Sequence, residues 1–311
     1  MNISDFKYLV ETMDTAGLMG SDSSVTNMFL LAPKYNTEFK IQDNFLFRFY
    51  YGKDNRYGYG FPLSLQKNAQ LSKAIALILN QNTDKNDIHF CLCTQDQKNR
   101  LDEVLRTDFP SYKIDWKTNL DDCDYIYLQE KLEKLPGSSL QKKKNHISRF
   151  CRTYEGRWNF KSFNHENFSP ALLEDILKVE ETWFLERSTD VEKAFDQHTL
   201  LLEKDSIHQA VENADVFKLC GGIIYIDENP VAMCLASPIS SDTIDIHFEK
   251  VLSEVAQNGG YAAINNFFVK TLSYKYINRE EDMGVEGLRK AKQSYKPELL
   301  LDKFYGRLVK C

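Results

Sequence analysis

Two short stretches of the chain contain the residue types that acid–base and acyl-transfer chemistry requires. In residues 243–250, polar and apolar side chains alternate, so His247 and Glu249 share one face of a predicted strand. Residues 276–284 begin as an apolar strand and end in Arg279 and a run of acids. Ligand sites of open α/β sheets form where neighbouring strands end. We therefore expect the two stretches to line one cleft.

The chemistry that these side chains suggest is the transfer of an acyl group to an amine. His247 or Glu249 would accept the proton of the attacking group. Asn278, Arg279 or a backbone N–H would stabilise the oxyanion that forms at the carbonyl, and Tyr295 would protonate a leaving hydroxyl. The alternative is a structural network of ion pairs, since buried charges need partners. No His/Cys/Asp spacing matches a known ligand signature, so no metal is predicted.

A glycine-containing stretch, residues 257–262, follows the first of these strands. Its sequence QNGGYA fits the pattern Q/R-x-x-G-x-G/A and resembles the pyrophosphate loop of GNAT-fold acyltransferases. Glycines allow the backbone to approach a ligand, and the start of a helix attracts phosphate. The donor-binding residues predicted here are Gln257, Gly259, Gly260, Tyr261 and Ala262. Gly260→Asp is expected to abolish donor binding and to leave the fold nearly intact; the alternative is a plain turn.

A basic stretch, residues 141–152, contains five Lys or Arg and no acid. It predicts either an anion-binding edge or a solvated basic linker. Side chains for substrate binding are predicted here and near the two charged strands. They are Lys143, Lys144, Asn145, Arg149, Lys250, Asn265, Glu280, Glu281, Arg289 and Lys292.

Composition places the chain among globular proteins and limits its partners. With 42% hydrophobic and 27% charged residues, neither disorder nor a fibre is indicated. A net charge of −6 argues against a protein that coats nucleic acid non-specifically, but it is compatible with a local basic groove. Seven cysteines without a C-x-x-C spacing favour reduced thiols and a cytoplasmic protein. No apolar run approaches the roughly 20 residues of a membrane span, and no signal peptide is predicted.

Predicted helices and strands fall into two sets, separated at residues 135–137, where Pro and Gly break the pattern. The first set has helices at 4–13, 22–35, 70–79 and 97–105, and strands at 45–51, 58–61, 88–93, 112–116 and 125–128. The second set has helices at 141–152, 169–186, 190–213, from 257 to 272 and at 285–296, and strands at 222–227, 231–237, 244–250 and 274–277. The first set has the strand and helix order of a degenerate copy of the second.

Several runs together resemble one protein family, the phosphatidylglycerol lysyltransferase C-terminal domain family. They are KKNHISRF at 143–150, IHFEK at 246–250, GGYAAIN at 259–265, INREEDMG at 277–284, GLRKAK at 287–292 and SYKP at 294–297. The resemblance implies two tandem GNAT-like domains related to Fem-type peptidyltransferases. It also implies transfer of an aminoacyl group from aminoacyl-tRNA to a lipid or peptide. The lipid-modifying members have a multi-helix membrane region that this sequence lacks, so the acceptor is left open.

The prediction is an α+β protein with two tandem GNAT-like domains, residues 1–137 and 138–311, each a mixed, mostly antiparallel sheet flanked by helices. Its predicted function is transfer of an aminoacyl group from aminoacyl-tRNA to a soluble or membrane-peripheral acceptor. The expected partners are tRNA and a small-molecule, peptide or lipid-headgroup acceptor, without integral membrane contact. The alternatives are an acyl-CoA-dependent N-acyltransferase and a non-catalytic ligand-binding protein on the same fold.

Overall fold

The computed structural model of the protein describes residues 1–53, 55–67, 69–82, 87–188 and 197–311. Its helices are α1 (Ile3–Thr12), α2 (Val25–Tyr35), α3 (Leu71–Gln81), α4 (Gln95–Asp108), α5 (Gln129–Lys134), α6 (Gln141–Thr153), α7 (Pro170–Ser188), α8 (Gln197–Glu212), α9 (Ser253–Gln257), α10 (Gly260–Val269) and α11 (Glu286–Gln293). Its strands are β1 (Thr37–Gln42), β2 (Phe45–Tyr51), β3 (Tyr57–Tyr59), β4 (Leu63–Ser64), β5 (His89–Thr94), β6 (Tyr112–Thr118), β7 (Asp124–Leu128), β8 (Trp158–Asn164), β9 (Cys220–Ile226), β10 (Asn229–Pro238), β11 (Thr243–Val251), β12 (Tyr276–Asn278), β13 (Leu299–Leu301) and β14 (Lys303–Lys310).

The predicted helices and strands lie close to the observed ones, with four differences. The helix predicted at 22–35 begins as a 3-10 turn, and α2 continues through Pro33 to Tyr35. The helix predicted from 257 to 272 is the shorter α10, which begins at Gly260, after Gly259 with its φ of 97°. Helices α5 and α9 and strands β1, β4, β8, β13 and β14 were not predicted. The helix predicted at 190–213 falls partly outside the described residues, and α8 begins at Gln197.

The chain forms two compact units that are not continuous in sequence. Unit 1 comprises Met1–Tyr125, Glu281–Arg289 and Leu300–Cys311, and unit 2 comprises Ile126–Glu280 and Lys290–Leu299. The division predicted at residue 137 would have given two continuous halves. The structure differs because β7 joins the sheet that contains β8–β12, and the C-terminal β14 joins the sheet that contains β1–β6. The last strand of each half thus belongs to the sheet of the other half.

The sheet of unit 1 has the order β1-β2-β3-β5-β14-β6, with β4 paired to β2. Strands β1, β2 and β3 are antiparallel neighbours, and β3 then pairs in parallel with β5 at Tyr59 and Phe90. Helix α3 comes between β3 and β5 in the chain, and it buries Ala74, Ile75 and Ile78 in the core. Their spacing of one, three and four residues is that of an amphipathic helix.

The second sheet repeats this arrangement and has the order β13-β7-β12-β11-β10-β9-β8. Strands β8 to β11 are antiparallel neighbours. Helix α10 follows, and β12 then pairs in parallel with β11. Eight of the ten residues of α10 are buried, as expected for a helix that crosses over a parallel pair. The order of elements that the sequence predicted for the second half is therefore present.

Candidate active site

Strands β11 and β12 separate where the predicted site residues begin. Their parallel pairing covers only Thr243–Tyr276, Ile244–Ile277 and Asp245–Asn278. Beyond Asp245, β11 pairs with β10 alone, and beyond Asn278 the chain leaves the sheet. Two parallel strands that part in this way leave backbone and side chains facing a common space. The two charged stretches therefore continue from one point of the sheet of unit 2.

His247 lies at a bulge in β11 and is enclosed by polar side chains. Leu235 pairs with Phe248 and Ala236 with Ile246, so His247 is the extra residue on its strand. Bulges redirect side chains and are frequent beside active sites. Its Nε2 is 2.7 Å from the hydroxyl of Ser237, and its Nδ1 is 3.3 Å from Glu280 Oε1.

Both ring nitrogens of His247 are thus within hydrogen-bond distance of a protein group. The side chain is only 1% exposed, so a substrate proton has no free ring nitrogen to reach. A general base must lie within hydrogen-bond reach of the proton that it accepts. The structure therefore gives His247 the place of an enclosed, positioned group rather than that of the proton acceptor that the sequence suggested.

Asn278 and Lys292 hold the backbone that presents Glu280. Glu280 has a φ of 56°, which is uncommon for a residue other than glycine. Its N–H donates to Asn278 Oδ1 at 2.6 Å. The Lys292 ammonium donates to the carbonyls of Arg279 and Glu280 at 2.5 and 3.1 Å. Asn278 is fully buried, so it supports the turn after β12, whereas the sequence suggested an oxyanion donor.

Arg279 and Glu249, predicted to share a cleft, form a direct ion pair. Arg279 donates through Nη2 to Glu249 Oε2, and Asn265 donates to the other carboxylate oxygen at 3.0 Å. Each of the two paired side chains is 13% exposed. Burial alone would lower the pKa of Arg279, but Glu249 and the neighbouring tyrosines hold this pKa above its ordinary value, so the guanidinium stays charged.

Not every polar atom of this group has a partner. Arg279 Nε and Nη1 and Asn265 Oδ1 are buried and have no hydrogen-bond partner among the residues that the structure describes. Buried polar atoms are rarely left unpaired, and such exceptions indicate a missing water or ligand, or a functional role. The guanidinium therefore has two unused donors beside its pair with Glu249.

Two tyrosines and Lys143 surround the guanidinium. The Arg279 guanidinium carbon is 5.0 Å from the ring centre of Tyr295 and 5.9 Å from that of Tyr127. Lys143 Nζ lies 3.8 Å from the ring centre of Tyr295. Burial raises the pKa of Tyr295 to about 12, although Arg279 opposes this shift. Tyr295 is therefore a weaker acid than an exposed tyrosine, which does not favour the proton-donor role that the sequence suggested.

Lys143 is the titratable amine of this group. Burial, with Arg279 and Lys142 nearby, lowers the pKa of Lys143 to about 8, and Glu249 opposes this shift. Its ammonium has no ion pair among the described residues. Enzymes lower the pKa of lysines in this way when the amine accepts or donates protons near neutral pH. A residue predicted for substrate binding thus has the properties of a proton acceptor.

The glycines of the predicted donor loop are packed against the protein itself. A Cβ on Gly259 would overlap the carbonyl of His146 in α6, and a Cβ on Gly260 would lie 2.6 Å from Val251 Cγ1. Close packing against the protein itself therefore explains why both positions are glycine, without a ligand. Gly260→Asp would disrupt the fold, contrary to the expectation from sequence. Gln257 and Tyr261 are exposed beside the loop and Ala262 is buried, and a donor-binding role for the loop stays a prediction.

Several residues predicted to bind substrate lie elsewhere in unit 2. Lys144, Asn145 and Arg149 are on the exposed side of α6. Lys250 is buried on the opposite face of β11 from Glu249, where its ammonium is 2.8 Å from Glu203 and 3.3 Å from the ring centre of Trp183. Its buried pair indicates a structural role.

Two further residues predicted to bind substrate belong to unit 1. Glu281 pairs with Arg56 at 3.1 Å. Arg289 pairs with Asp282 and Asp121 at 2.7 and 2.6 Å. Both side chains have ion-pair partners within unit 1. They are therefore not among the residues that contact Arg279 in unit 2.

Sequence reasoning missed Ser237 and Tyr127, and it did not give Asp245 a role. Asp245 lies on the same strand face as His247, 3.6 Å from its Nδ1, and it is fully buried. Alternation in residues 243–250 already placed Asp245 on that face. Ser237 and Tyr127 come from neighbouring strands, and only the register of the sheet brings them to the site.

Comparison with known proteins places the chain in a family. The model of the family described as phosphatidylglycerol lysyltransferase, C-terminal, matches residues 15–306. The chain belongs to this family. The resemblance seen in the sequence runs is therefore confirmed.

Proteins similar to this chain cover most of its length. A conserved protein of unknown function from Bacteroides thetaiotaomicron is 27% identical, with a TM-score of 0.83 over 99% of this chain and 98% of that one. The C-terminal domain of a protein named as a lysylphosphatidylglycerol synthetase, from Agrobacterium fabrum, is 10% identical, with a TM-score of 0.64 over 98% of this chain and 92% of that one. An uncharacterized protein of Mycoplasmoides gallisepticum is 22% identical over 69% of this chain and 68% of its own length.

The predicted fold class is also confirmed. Both sheets are mixed and mostly antiparallel, both are flanked by helices, and each repeats the GNAT-like order of antiparallel strands, helix and parallel strand. Among the described residues, no helix combines the length and the apolar character needed to cross a membrane. Family and fold together indicate an acyltransferase-like protein.

Proposed function

We propose that the protein transfers an aminoacyl group from aminoacyl-tRNA, and that the transfer takes place beside Lys143 and Arg279 in unit 2. The observation that supports this most is that Lys143 and Arg279 lie against the same tyrosine ring, that of Tyr295. Lys143 supplies a half-buried amine, and Arg279 supplies a charged guanidinium with two unused donors. Acyl transfer needs both a group that accepts a proton and a hydrogen-bond donor that stabilises the oxyanion.

In the proposed reaction, an amine or hydroxyl of the acceptor attacks the ester carbonyl carbon of the donor. Neutral Lys143 accepts the proton that the attacking group loses. Arg279 stabilises the negative charge on the carbonyl oxygen, and Glu249 holds the guanidinium in position. The bond from carbon to the ribose oxygen then breaks, and the ribose hydroxyl leaves with the proton from Lys143. Every proton is accounted for without another reactant.

A tRNA donor is favoured over acyl-CoA by the surface of α6 and by the packing of the glycine loop. Lys142, Lys144 and Arg152 are exposed on α6 and have no ion pair within the described part of the chain. The protein as a whole has a net charge of −6, so these cations form a local exception. A polyanion would be attracted to them. At Gly259 the close approach of the His146 carbonyl accounts for the glycine, so the glycine pattern does not by itself require a pyrophosphate.

The family name suggests the lysyl group as the one transferred and a lipid headgroup as one class of acceptor. Both suggestions are part of the proposal. A soluble amine or a peptide amine satisfies the same mechanism, because the attacking group only has to lose a proton to Lys143.

The experiment is a discharge assay with a pool of tRNA charged with radiolabelled amino acids, in the presence of phosphatidylglycerol vesicles or of a peptide amine. The wild-type chain should transfer label faster than the ester hydrolyses spontaneously. Lys143→Met should slow transfer by about 100-fold or more, the range found when a general base is removed. Lys117→Met, which changes an exposed lysine of unit 1 in the same way, is the matched control and should stay within about twofold. Consumption of acetyl-CoA without discharge of tRNA would favour the CoA-dependent alternative, and turnover of neither donor would favour a binding protein.

The role of α6 is tested separately through the salt dependence of tRNA binding. Replacing Lys142, Lys144 and Arg152 by Glu should weaken binding and reduce the log–log salt slope by roughly 0.7–0.9 for each lost phosphate contact. A control with the same change in charge reverses three exposed lysines of unit 1, Lys113, Lys117 and Lys310. Equal effects of the two triple variants would show that α6 is not the docking surface.

A further inference from the structure

One group of side chains in unit 2 has the composition and the spacing of a metal site. Asp245, His247 and Glu280 each offer one ligand atom, and these three atoms lie within 4.8 Å of one another. His247 Nδ1 is 3.6 Å from Asp245 Oδ2 and 3.3 Å from Glu280 Oε1. We propose that these three residues bind one divalent transition-metal ion of the Mn²⁺ or Zn²⁺ class.

The distances between the ligand atoms agree with a shared ion. Bonds of about 2.0–2.2 Å from a metal to nitrogen or oxygen place two adjacent ligand atoms roughly 3.0–3.5 Å apart. The separation of 3.3 Å between His247 and Glu280 lies within that range, and the 3.6 Å to Asp245 lies just above it. Small rotations of the side chains are sufficient to complete the site. One imidazole with two carboxylates suits Mn²⁺ or Zn²⁺ better than soft ions such as Cu(I).

Ser237 supplies the support that a metal-binding histidine usually has. Its hydroxyl is 2.7 Å from His247 Nε2, the ring nitrogen that faces away from the carboxylates. Metal-bound histidines almost always donate this second N–H to an oxygen, which sets the tautomer and the ring orientation. With the proton on Nε2, the lone pair of Nδ1 points toward the two carboxylates. Nδ1 and the two carboxylate oxygens are then all electron-pair donors without a proton between them, and a bound cation offsets their mutual repulsion.

The three ligands come from two different strands and are held in place independently. Asp245 and His247 lie on β11, with His247 at the bulge. Glu280 follows β12, and Asn278 fixes its backbone through the 2.6 Å bond to the Glu280 N–H. The side chains of Asp245 and His247 are 0% and 1% exposed, whereas that of Glu280 is 24% exposed. An ion would therefore enter from the side of Glu280 and retain coordination positions for water.

The proposed ion has a structural consequence for the rest of the site. It would bridge β11 to the turn after β12 at the point where the two strands separate. Arg279 precedes Glu280, and Glu249 follows His247 by two residues, so the bridge would fix both members of the ion pair. Metal binding by these residues does not depend on the proposed aminoacyl transfer, because it is measurable without donor or acceptor.

The test is metal binding by the full chain after dialysis against a chelator. Titration with Mn²⁺, followed by the electron paramagnetic resonance signal of the free ion, should show one ion bound per chain, and Zn²⁺ should displace it. Glu280→Gln and Asp245→Asn should each abolish this binding. Ser237→Ala keeps all three ligands and should weaken binding about 10–100-fold. The control is Glu254→Gln, which removes an exposed acid of the same unit and should bind like the wild type.

A second readout keeps the proposal testable if a ligand variant folds poorly. Saturating Mn²⁺ or Zn²⁺ should raise the melting temperature of the wild type, because an ion that binds only the folded state stabilises it. Mg²⁺ should have a smaller effect. A wild-type chain that binds neither ion at about 1 mM would overturn the proposal and leave a hydrogen-bonded chain of Glu280, His247 and Ser237. Binding that Glu280→Gln and Glu254→Gln retain equally would overturn it as well.

Discussion

The guanidinium of Arg279 is paired with the carboxylate of Glu249, and the carboxylate accepts a second hydrogen bond from Asn265. The two charged residues come from different strands and are 30 positions apart in the chain. Each side chain is only 13% exposed. The pair is therefore both a structural link between β11 and the end of β12 and the device that orients the proposed oxyanion donor.

Neutralising one member of this pair should lower stability. Glu249→Gln leaves the Arg279 charge largely buried without its partner, and breaking a buried pair costs about 3–5 kcal/mol. Since the side chains are not fully buried, we expect a loss of about 3 kcal/mol in the free energy of unfolding, measured with urea at pH 7. The control is Glu130→Gln, whose pair with Lys134 is 73% and 62% exposed and should change the stability far less, because solvent screens an exposed pair. Unchanged stability of Glu249→Gln with loss of activity would instead identify Glu249 as a group that acts only on substrate.

Glu180 should make stability depend on pH. Burial raises the pKa of Glu180 to about 7, although Lys250 opposes this shift, and neither carboxylate oxygen has a hydrogen-bond partner among the described residues. A raised pKa in the folded state means that folding favours the protonated acid. Its stabilising effect is complete below about pH 4.5 and is lost as the pH rises through about 7.

Unfolding measured between pH 4.5 and 8 should show this loss in the wild type, on the order of 3 kcal/mol at most for a shift of this size. Glu180→Gln should flatten the profile over the same window. Glu181→Gln, which changes the neighbouring acid on α7 with its 68% exposed side chain, should leave the profile unchanged. Identical profiles for wild type and Glu180→Gln would show that Glu180 is ionised in the folded protein throughout.

Gly259, the residue that precedes α10, should be important for stability. Gly259 has a φ of 97°, and a Cβ there would overlap the backbone of His146. Gly259→Ala should therefore lower the free energy of unfolding by at least about 2 kcal/mol. Gly287 lies in α11 with open space around it, so Gly287→Ala should raise stability by about 0.5–1 kcal/mol. A Gly259→Ala variant as stable as wild type would mean that α6 and α10 are less closely packed than the structure shows.

Local patterns in the sequence were sufficient for much of the fold. Alternation in residues 243–250 predicted β11 with Glu249 on a polar face, and the apolar spacing in 70–79 predicted α3. The proximity of Glu249 and Arg279 followed from the expected order of strands. Family runs predicted the tandem arrangement, which strand order alone only suggested.

Long-range pairing explains what the sequence did not predict. No local signal shows that β14 joins the sheet of the first half, because its partners β5 and β6 lie far from it in the sequence. The contact between His247 and Glu280 spans 33 residues and depends on the bulge at His247. The lowered pKa of Lys143 depends on packing against Tyr295, and in the sequence Lys143 is one of three consecutive lysines.

The most direct test of aminoacyl transfer beside Lys143 is the pH dependence of the single-turnover rate. Burial, with Arg279 and Lys142 nearby, lowers the pKa of Lys143 to about 8, and only the neutral amine accepts a proton. After correction for spontaneous hydrolysis, the wild-type rate should rise with pH and level off above about 8, and Lys117→Met should follow the same curve. Lys143→Met should lose both the rise and most of the rate. A Lys143→Met variant that keeps the wild-type rate and the same rise would contradict the account.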